Sequence, residues 1–226
     1  VEDDVFDDEL ESALKSYQKY YHLKATGILD EPTVSQMVIP RCGGPDKETH
    51  HHGSKSLHTV SHYQFFPNYP RWPPGKSDLT YAFASGFPNN RIPPIVRAFN
   101  RWSSGTRYFT FSRVNNIMGA DIKVSFQRGN HGDGASFDGP GGILAHAFAP
   151  TDGRVHYDAD DTFSNGPGPV PNVIDFETVS VHEIGHLLGL DHSNDMNAAM
   201  YAYIYPGVVK GLNADDIEGI RVLYGL

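Results

Sequence analysis

An α+β fold is predicted by three observations. Residues 79–83 and 120–126 alternate and are β-branched, as strands are. Helical periodicities lie between and after them. The chain, 226 residues and 39% hydrophobic, is long enough to bury a core. Two strand-and-helix passages precede a helix-dominated end, with no internal repeat. Eighteen basic against twenty-seven acidic residues leave a net charge of −9 without a Lys/Arg cluster, which excludes a nucleic-acid surface. No apolar run approaches the roughly 20 residues of a membrane span. The single cysteine, Cys42, excludes an intrachain disulfide framework.

Taken in order, residues 1–11 carry seven carboxylates and read as a solvated tail that becomes the negative start of a helix. From Asp8 to Leu23, the residues Leu10, Leu14, Tyr17, Tyr20 and Tyr21 recur at helical spacing, predicting an amphipathic helix stopped by Thr26-Gly27. Asp30-Glu31-Pro32 starts a second helix that runs to about Val38, so the two form a small helical lobe. Residues 47–76 read as a linker, because Gly53, Pro67, Pro70, Pro73, Pro74 and Gly75 leave little room for regular structure. The run His50-His51-His52 within it reads as an incidental polar loop. Residues 94–102 predict a helix with Val96, Phe99 and Trp102 on one stripe, and residues 174–190 predict another. Asn213 caps a last helix, 214–224, expected to turn Ile217, Ile220, Val222 and Leu223 inward.

One motif carries the chemistry: His182-Glu183-Ile184-Gly185-His186-Leu187-Leu188-Gly189-Leu190-Asp191-His192. On a helix, His182 and His186 stand one turn apart on one face, where two imidazoles meet one ion. Gly189 frees the backbone to leave the helix, which lets His192 return as a third ligand. Three neutral nitrogens leave one tetrahedral position open, as in a catalytic zinc site. Glu183 lies about 100° round the helix from His182 and is expected to miss the metal and face its water as a base. Five fixed residues at this spacing arise by accident on the order of once in ten thousand chains, so incidental histidines are set aside.

The motif resembles that of the metzincin metalloproteases, with Met200 where that group has its Met-turn. Three further segments resemble the matrix metalloproteinases. They are Pro40-Arg41-Cys42-Gly43-Gly44-Pro45-Asp46, like the cysteine switch; Phe137-Asp138-Gly139-Pro140-Gly141-Gly142, like the metal-binding loop; and Leu144-Ala145-His146-Ala147-Phe148, like the edge strand. The wording around the histidines resembles the plant members. The resemblance implies a zincin-like catalytic domain at 77–226, with a twisted mostly parallel sheet and three helices. A helical propeptide at 1–46 and an activation linker at 47–76 would precede it.

What the resemblance implies for the sites can be stated residue by residue. Cys42, as thiolate, fills the open place on the catalytic zinc and makes the propeptide an intramolecular inhibitor. Arg41 is expected to pair with Asp46, and Gly44 stands where relatives usually have a larger apolar residue. His131, Asp133, His146 and His156 hold a second, structural zinc with no open place. Asp138, Asp158 and Asp161, with the carbonyls of Gly139, Gly141 and Ile143, suit a calcium. Asp121 matches one ligand of a second calcium site, where Arg154 replaces an expected aspartate. Residues 143–148 would pair with an extended substrate. Leu144, Ala145, Val179, His182 and the wall Ala202-Tyr203-Ile204 would line a pocket for a leucine-like residue after the cut bond.

The function expected is a secreted, monomeric zinc endopeptidase in latent form, acting on extracellular proteins or peptides. The alternative is a metal-stabilised binding protein without catalysis, against which Glu183 argues, since a structural site has no use for a water-facing carboxylate. Another metzincin subfamily is a second alternative; such proteins usually carry disulfides, which one cysteine cannot form.

Overall fold

The computed structural model describes residues 6–44 and 61–226. They fall into two compact units, residues 6–39 and residues 40–44 with 61–226. The stretch carrying Cys42 packs with the larger unit, which holds the three histidines that Cys42 was expected to join. Asp46 and the His50-His51-His52 run lie outside the described residues.

In the smaller unit, α1 (Asp8–Tyr20) is capped by Asp7, whose side chain accepts from Leu10 N at 2.8 Å. Helix α2 (Glu31–Met37) is capped by Asp30, with a proline in its first turn. The expected apolar stripe is corrected: Leu14 is buried, but Leu10 and Tyr20 are exposed. Gln18 takes the centre instead. Its Nε2 donates at 2.9 Å to Thr26 Oγ1, Ile28 O and Thr33 Oγ1, and its Oε1 accepts from Gly27 N at 2.8 Å. A lobe this small cannot enclose an oily stripe, and a buried amide that satisfies the turn's own polar groups organises it.

The larger unit is a six-stranded sheet. Its strands are β1 (Arg41–Cys42), β2 (Asp78–Phe83), β3 (Thr110–Arg113), β4 (Ile122–Gln127), β5 (Ile143–Ala147) and β6 (Arg154–Asp158), in the order β1-β5-β6-β4-β2-β3. Every pair is parallel except β5 with β6. A short pair, β7 (Phe163–Ser164) with β8 (Ile174–Asp175), leads into α4 (Phe176–Leu187). With α3 (Ile92–Thr106) and α5 (Ala214–Tyr224), this is the mostly parallel sheet with three helices that was expected.

The core lies between the sheet and helices α3 and α4. Trp102 is fully buried and donates from Nε1 to Val181 O at 2.8 Å, while Phe99 stacks on Tyr81 at 4.4 Å. Several boundaries and faces differ from expectation, among them the helix expected over 94–102, which runs Ile92–Thr106. The helix expected from 174 starts at Phe176, because Asp175 turns back to accept from Thr178 N and caps it. In α5, Ile220 and Leu223 are buried but Val222 is half exposed, since two residues advance about 200° round a helix. Residues 61–76, expected within a linker, belong to the larger unit. Trp72 is buried with Nε1 donating to Leu187 O at 2.9 Å, and Phe65 bridges to Leu190. Proline and glycine forbid regular structure there, but aromatic anchors still bury what they can.

Trp102→Ala removes the largest buried side chain in the core and should cost about 3–5 kcal/mol, read as a lower urea midpoint.

Candidate metal centre and active site

All twelve residues of α4 are buried, so the helix runs through the middle of the unit rather than on its surface. His182 and His186 bring their Nε2 atoms to 3.0 Å of each other. His182 Nδ1 donates to Ala199 O at 2.7 Å, and His186 Nδ1 donates to Leu190 O at 2.8 Å. With the hydrogens committed to those carbonyls, both Nε2 atoms present bare lone pairs. Leu188 caps the helix and the chain turns away at Gly189, whose φ is +104°. A Cβ there would stand 2.4 Å from Pro70 O, so the position demands glycine twice over.

The turn returns His192 to the same point, and its Nε2 is buried without a hydrogen-bond partner among the described residues. Cys42 completes the group, with Sγ 3.4 Å from His186 Nε2. The four ligand atoms of Cys42, His182, His186 and His192 all lie within 4.8 Å of one another. Burial and the neighbouring imidazoles push His182 and His192 well below the usual histidine range. Burial and the Glu183 carboxylate push the Cys42 thiol well up. Bare lone pairs crowded into a buried space repel one another, and a divalent cation is what reconciles them; this donor set of three imidazoles and a thiol fits zinc.

Glu183 is fully buried beside this group, and its carboxylate faces the Cys42 thiol. Burial raises its pKa to about 8. Met200, at the expected Met-turn, lies under the helix at Gly185, where a Cβ would meet its Sδ at 2.1 Å. The Met-turn is tied down by Asp216, a residue not singled out in the sequence. Its Oδ2 accepts from Ala199 N at 2.9 Å and Asn213 N at 2.8 Å, and its Oδ1 accepts from Met200 N at 3.0 Å. The signal was present, since an acid three residues after the Asn213 cap completes a capping box.

The second expected group also assembles. His131 Nε2, His146 Nε2 and His156 Nδ1 each stand 2.8 Å from Asp133 Oδ2. His146 and His156 come from opposed positions of β5 and β6. Burial works to raise Asp133, but the Ala135 amide and His146 outweigh it and hold the carboxyl well down. Burial takes His156 to about 4.

Asp138, Asp158 and Asp161 sit close enough to act on one another. Burial raises Asp161 to about 6, with Asp158 and Asp138 adding to it. One oxygen each of Asp158 and Asp161 is buried without a partner among the described residues. The Gly141 and Ile143 amides donate to Asp161 at 2.7 Å and Asp138 at 3.0 Å. Asp121, expected at a second calcium, is engaged otherwise. It accepts from Thr80 N at 2.8 Å and from Lys76 Nζ at 2.9 Å, so an ammonium already meets its charge. Arg154 is paired with Asp152 at 2.7 Å and lies over the Phe148 ring.

Residues 40–43 occupy the cleft beside these groups. On one side, Arg41 N donates to Gly142 O and Gly43 N to Ala145 O, both at 2.8 Å, in parallel with β5. On the other, Cys42 N donates to Ala202 O and Ile204 N to Pro40 O, both at 2.9 Å. The expected pocket residues Leu144, Ala145, Val179 and Tyr203 are all buried around this stretch and α4. Arg41 Nε donates to Cys42 O at 3.1 Å, and its guanidinium lies 5.3 Å from the Tyr203 ring centroid. A Cβ at Gly44 would stand 3.0 Å from His192 Cε1, which leaves little room there for a larger residue.

Fold and donor set together define a zinc-dependent metalloendopeptidase. A family model described as Matrixin matches residues 71–225, and a second, for a peptidoglycan binding domain, matches residues 1–37. The chain is 47% identical over 234 residues to metalloendoproteinase 1 of Glycine max, covering 99% of this chain and 75% of that protein. It is 48% identical to metalloendoproteinase 5-MMP of Arabidopsis thaliana, covering 98% of this chain and 65% of that one. Matrilysin of Homo sapiens is 38% identical over 96% of this chain and 77% of its own length. The chain belongs to the matrixin family, and its higher identity to the plant proteins fits the plant type. Among the described residues no helix is long and apolar enough to cross a membrane.

Asp216→Asn would put an amide donor against a backbone N–H of the Met-turn. A loss of about 2 kcal/mol in chemical unfolding is expected, whereas an unchanged midpoint would mean the turn is held by other contacts.

Proposed function

We propose that this chain is the latent form of a secreted endopeptidase. Its propeptide is residues 1–46, its activation linker falls within 47–60, and its catalytic domain, expected at 77–226, takes in the packed stretch 61–76 as well. The single observation that supports catalysis over a purely structural metal site is Glu183. A fully buried carboxylate that no cationic side chain meets, beside the three imidazoles, is costly, and a folding site gives no return for it.

His182, His186 and His192 would hold the catalytic zinc. Zinc, when bound, polarises the substrate carbonyl and makes water acidic near neutral pH. Glu183 takes the proton of the attacking water on its carboxylate and passes it to the leaving amine. The edge of β5 pairs with the substrate backbone, so many sequences are accepted. The pocket of Leu144, Ala145, Val179 and the wall at Tyr203 selects a leucine-like residue after the cut bond.

His131, Asp133, His146 and His156 would hold a structural zinc. Asp138, Asp158 and Asp161, with the carbonyls of Gly139, Gly141 and Ile143, would hold a calcium. One buried, unpartnered oxygen each on Asp158 and Asp161, with the Asp138 charge close by, supports a hard cation there. The supply of calcium outside cells agrees with secretion.

Latency rests on Cys42. Its thiolate takes the position that water needs, while residues 40–43 take the backbone positions that substrate needs. The helical lobe serves as the handle of this inhibitor. Cleavage in the linker frees the lobe, and dilution then separates it from the site.

Metal analysis of the intact protein should find two zinc ions per chain. After linker cleavage, Glu183→Ala should keep both and lose at least about 100-fold in kcat on a quenched peptide. Equal hydrolysis by this variant would restore the binding-protein reading. Cys42→Ser should hydrolyse the peptide without linker cleavage; an uncut variant that stays silent would refute the latency mechanism.

A further inference from the structure

Two charged side chains grip the loop that joins the histidine motif to α5, and the hydrolytic reading uses neither. Asp216 holds its amides, as described above. The other is Lys210. Its Nζ donates to Met196 O at 2.7 Å and to Ala198 O at 3.3 Å, and it lies 4.9 Å from the centroid of the Tyr201 ring. Its backbone N–H donates to Thr178 Oγ1 at 3.0 Å, one residue before the pocket residue Val179. A lysine held this way gives up hydration and much side-chain freedom, which an exposed lysine keeps.

The gain is closure of a loop. Residues 196–210 begin at the carbonyls that Lys210 grips and end at Lys210 itself. Between these ends lie Ala199, whose carbonyl orients His182, and the wall Ala202–Ile204, whose backbone lies along the peptide cleft. Apolar burial does not hold the outgoing arm, since Tyr205, Val208 and Val209 are each more than a third exposed. The arm is fastened at Gly207, whose N–H donates to Val173 O at 2.9 Å, and then by Lys210.

We propose that Lys210 is a positioning residue for peptide hydrolysis, closing the 196–210 loop so that the wall at 202–204 keeps the shape of the substrate pocket. This rests on the reading of that wall as part of the pocket. Lys210 touches neither metal ligand nor substrate, so its effect falls on binding and selectivity rather than on the chemical step.

The test uses the full chain, cleaved in the linker for kinetics and uncleaved for hydrogen exchange. Lys210→Met keeps the side chain's length without its charge, and Lys210→Arg keeps the charge. Two peptides differ only in Leu or Phe after the cut bond. Lys210→Met should retain zinc and near-parental kcat on the Leu peptide. Its KM should rise about tenfold, the factor that one charge-assisted hydrogen bond carries. It should also narrow the preference between the peptides and speed amide exchange at 201–209, with Lys210→Arg restoring all three. Parental exchange, or kcat and KM changing with selectivity intact, would overturn the proposal, as would failure of Lys210→Arg to restore. Should Lys210→Met not fold, Lys210→Gln carries the same readouts. Exchange in the uncleaved chain does not depend on hydrolysis. An inactive parent enzyme would therefore count against the peptidase reading, and parental exchange in the variant against this one.

Discussion

Bare imidazole nitrogens 3.0 Å apart in a buried space are mutually repulsive, and the whole of the larger unit is arranged to force them together. Each Nδ1 is turned toward a carbonyl, at Ala199 or Leu190, which leaves Nε2 with nothing but its neighbours to face. A third nitrogen and a sulfur are brought to the same point. Only a cation resolves that crowding, so folding and metal binding are coupled here through electrostatics rather than through apolar burial.

The supports of this point come from distant parts of the chain. The carbonyl that orients His182 belongs to a turn whose amides are held by Asp216 in α5, and whose Met200 packs against Gly185. The departure of the chain at Gly189 needs the positive φ that glycine tolerates, and Pro70, from the segment before β2, leaves space there only for a hydrogen. The same 196–210 loop then presents Ala202 O and Ile204 N to Cys42 and Pro40.

Strand β5 plays a similar double part through the alternation of a strand. Its neighbours in sequence serve different tasks: Ala145 accepts from Gly43 in the cleft, while His146 faces His156 across the pair with β6. The edge of β5 is occupied by residues 41–43, whose amides at Arg41 and Gly43 meet the carbonyls of Gly142 and Ala145.

Local periodicity made much of this legible. The spacing of His182 and His186 needs only the pitch of a helix, and Gly189 needs only its missing Cβ. The Asn213 cap and the strand at Asp78–Phe83 likewise depend on near neighbours. The gathering of His131, Asp133, His146 and His156 came through resemblance, since four scattered residues carry no spacing of their own. What the sequence left open are the choices among distant partners. Gln18 rather than a tyrosine stripe centres the small lobe, because its amide happens to reach three acceptors. Asp121 meets Lys76 and Thr80, Trp72 anchors what reads as a linker, and Lys210 turns back on Met196 and Ala198. A helix or a cap is decided within a few residues, but the partner of a charge or a buried ring is decided by which surfaces the finished fold brings within a few ångströms.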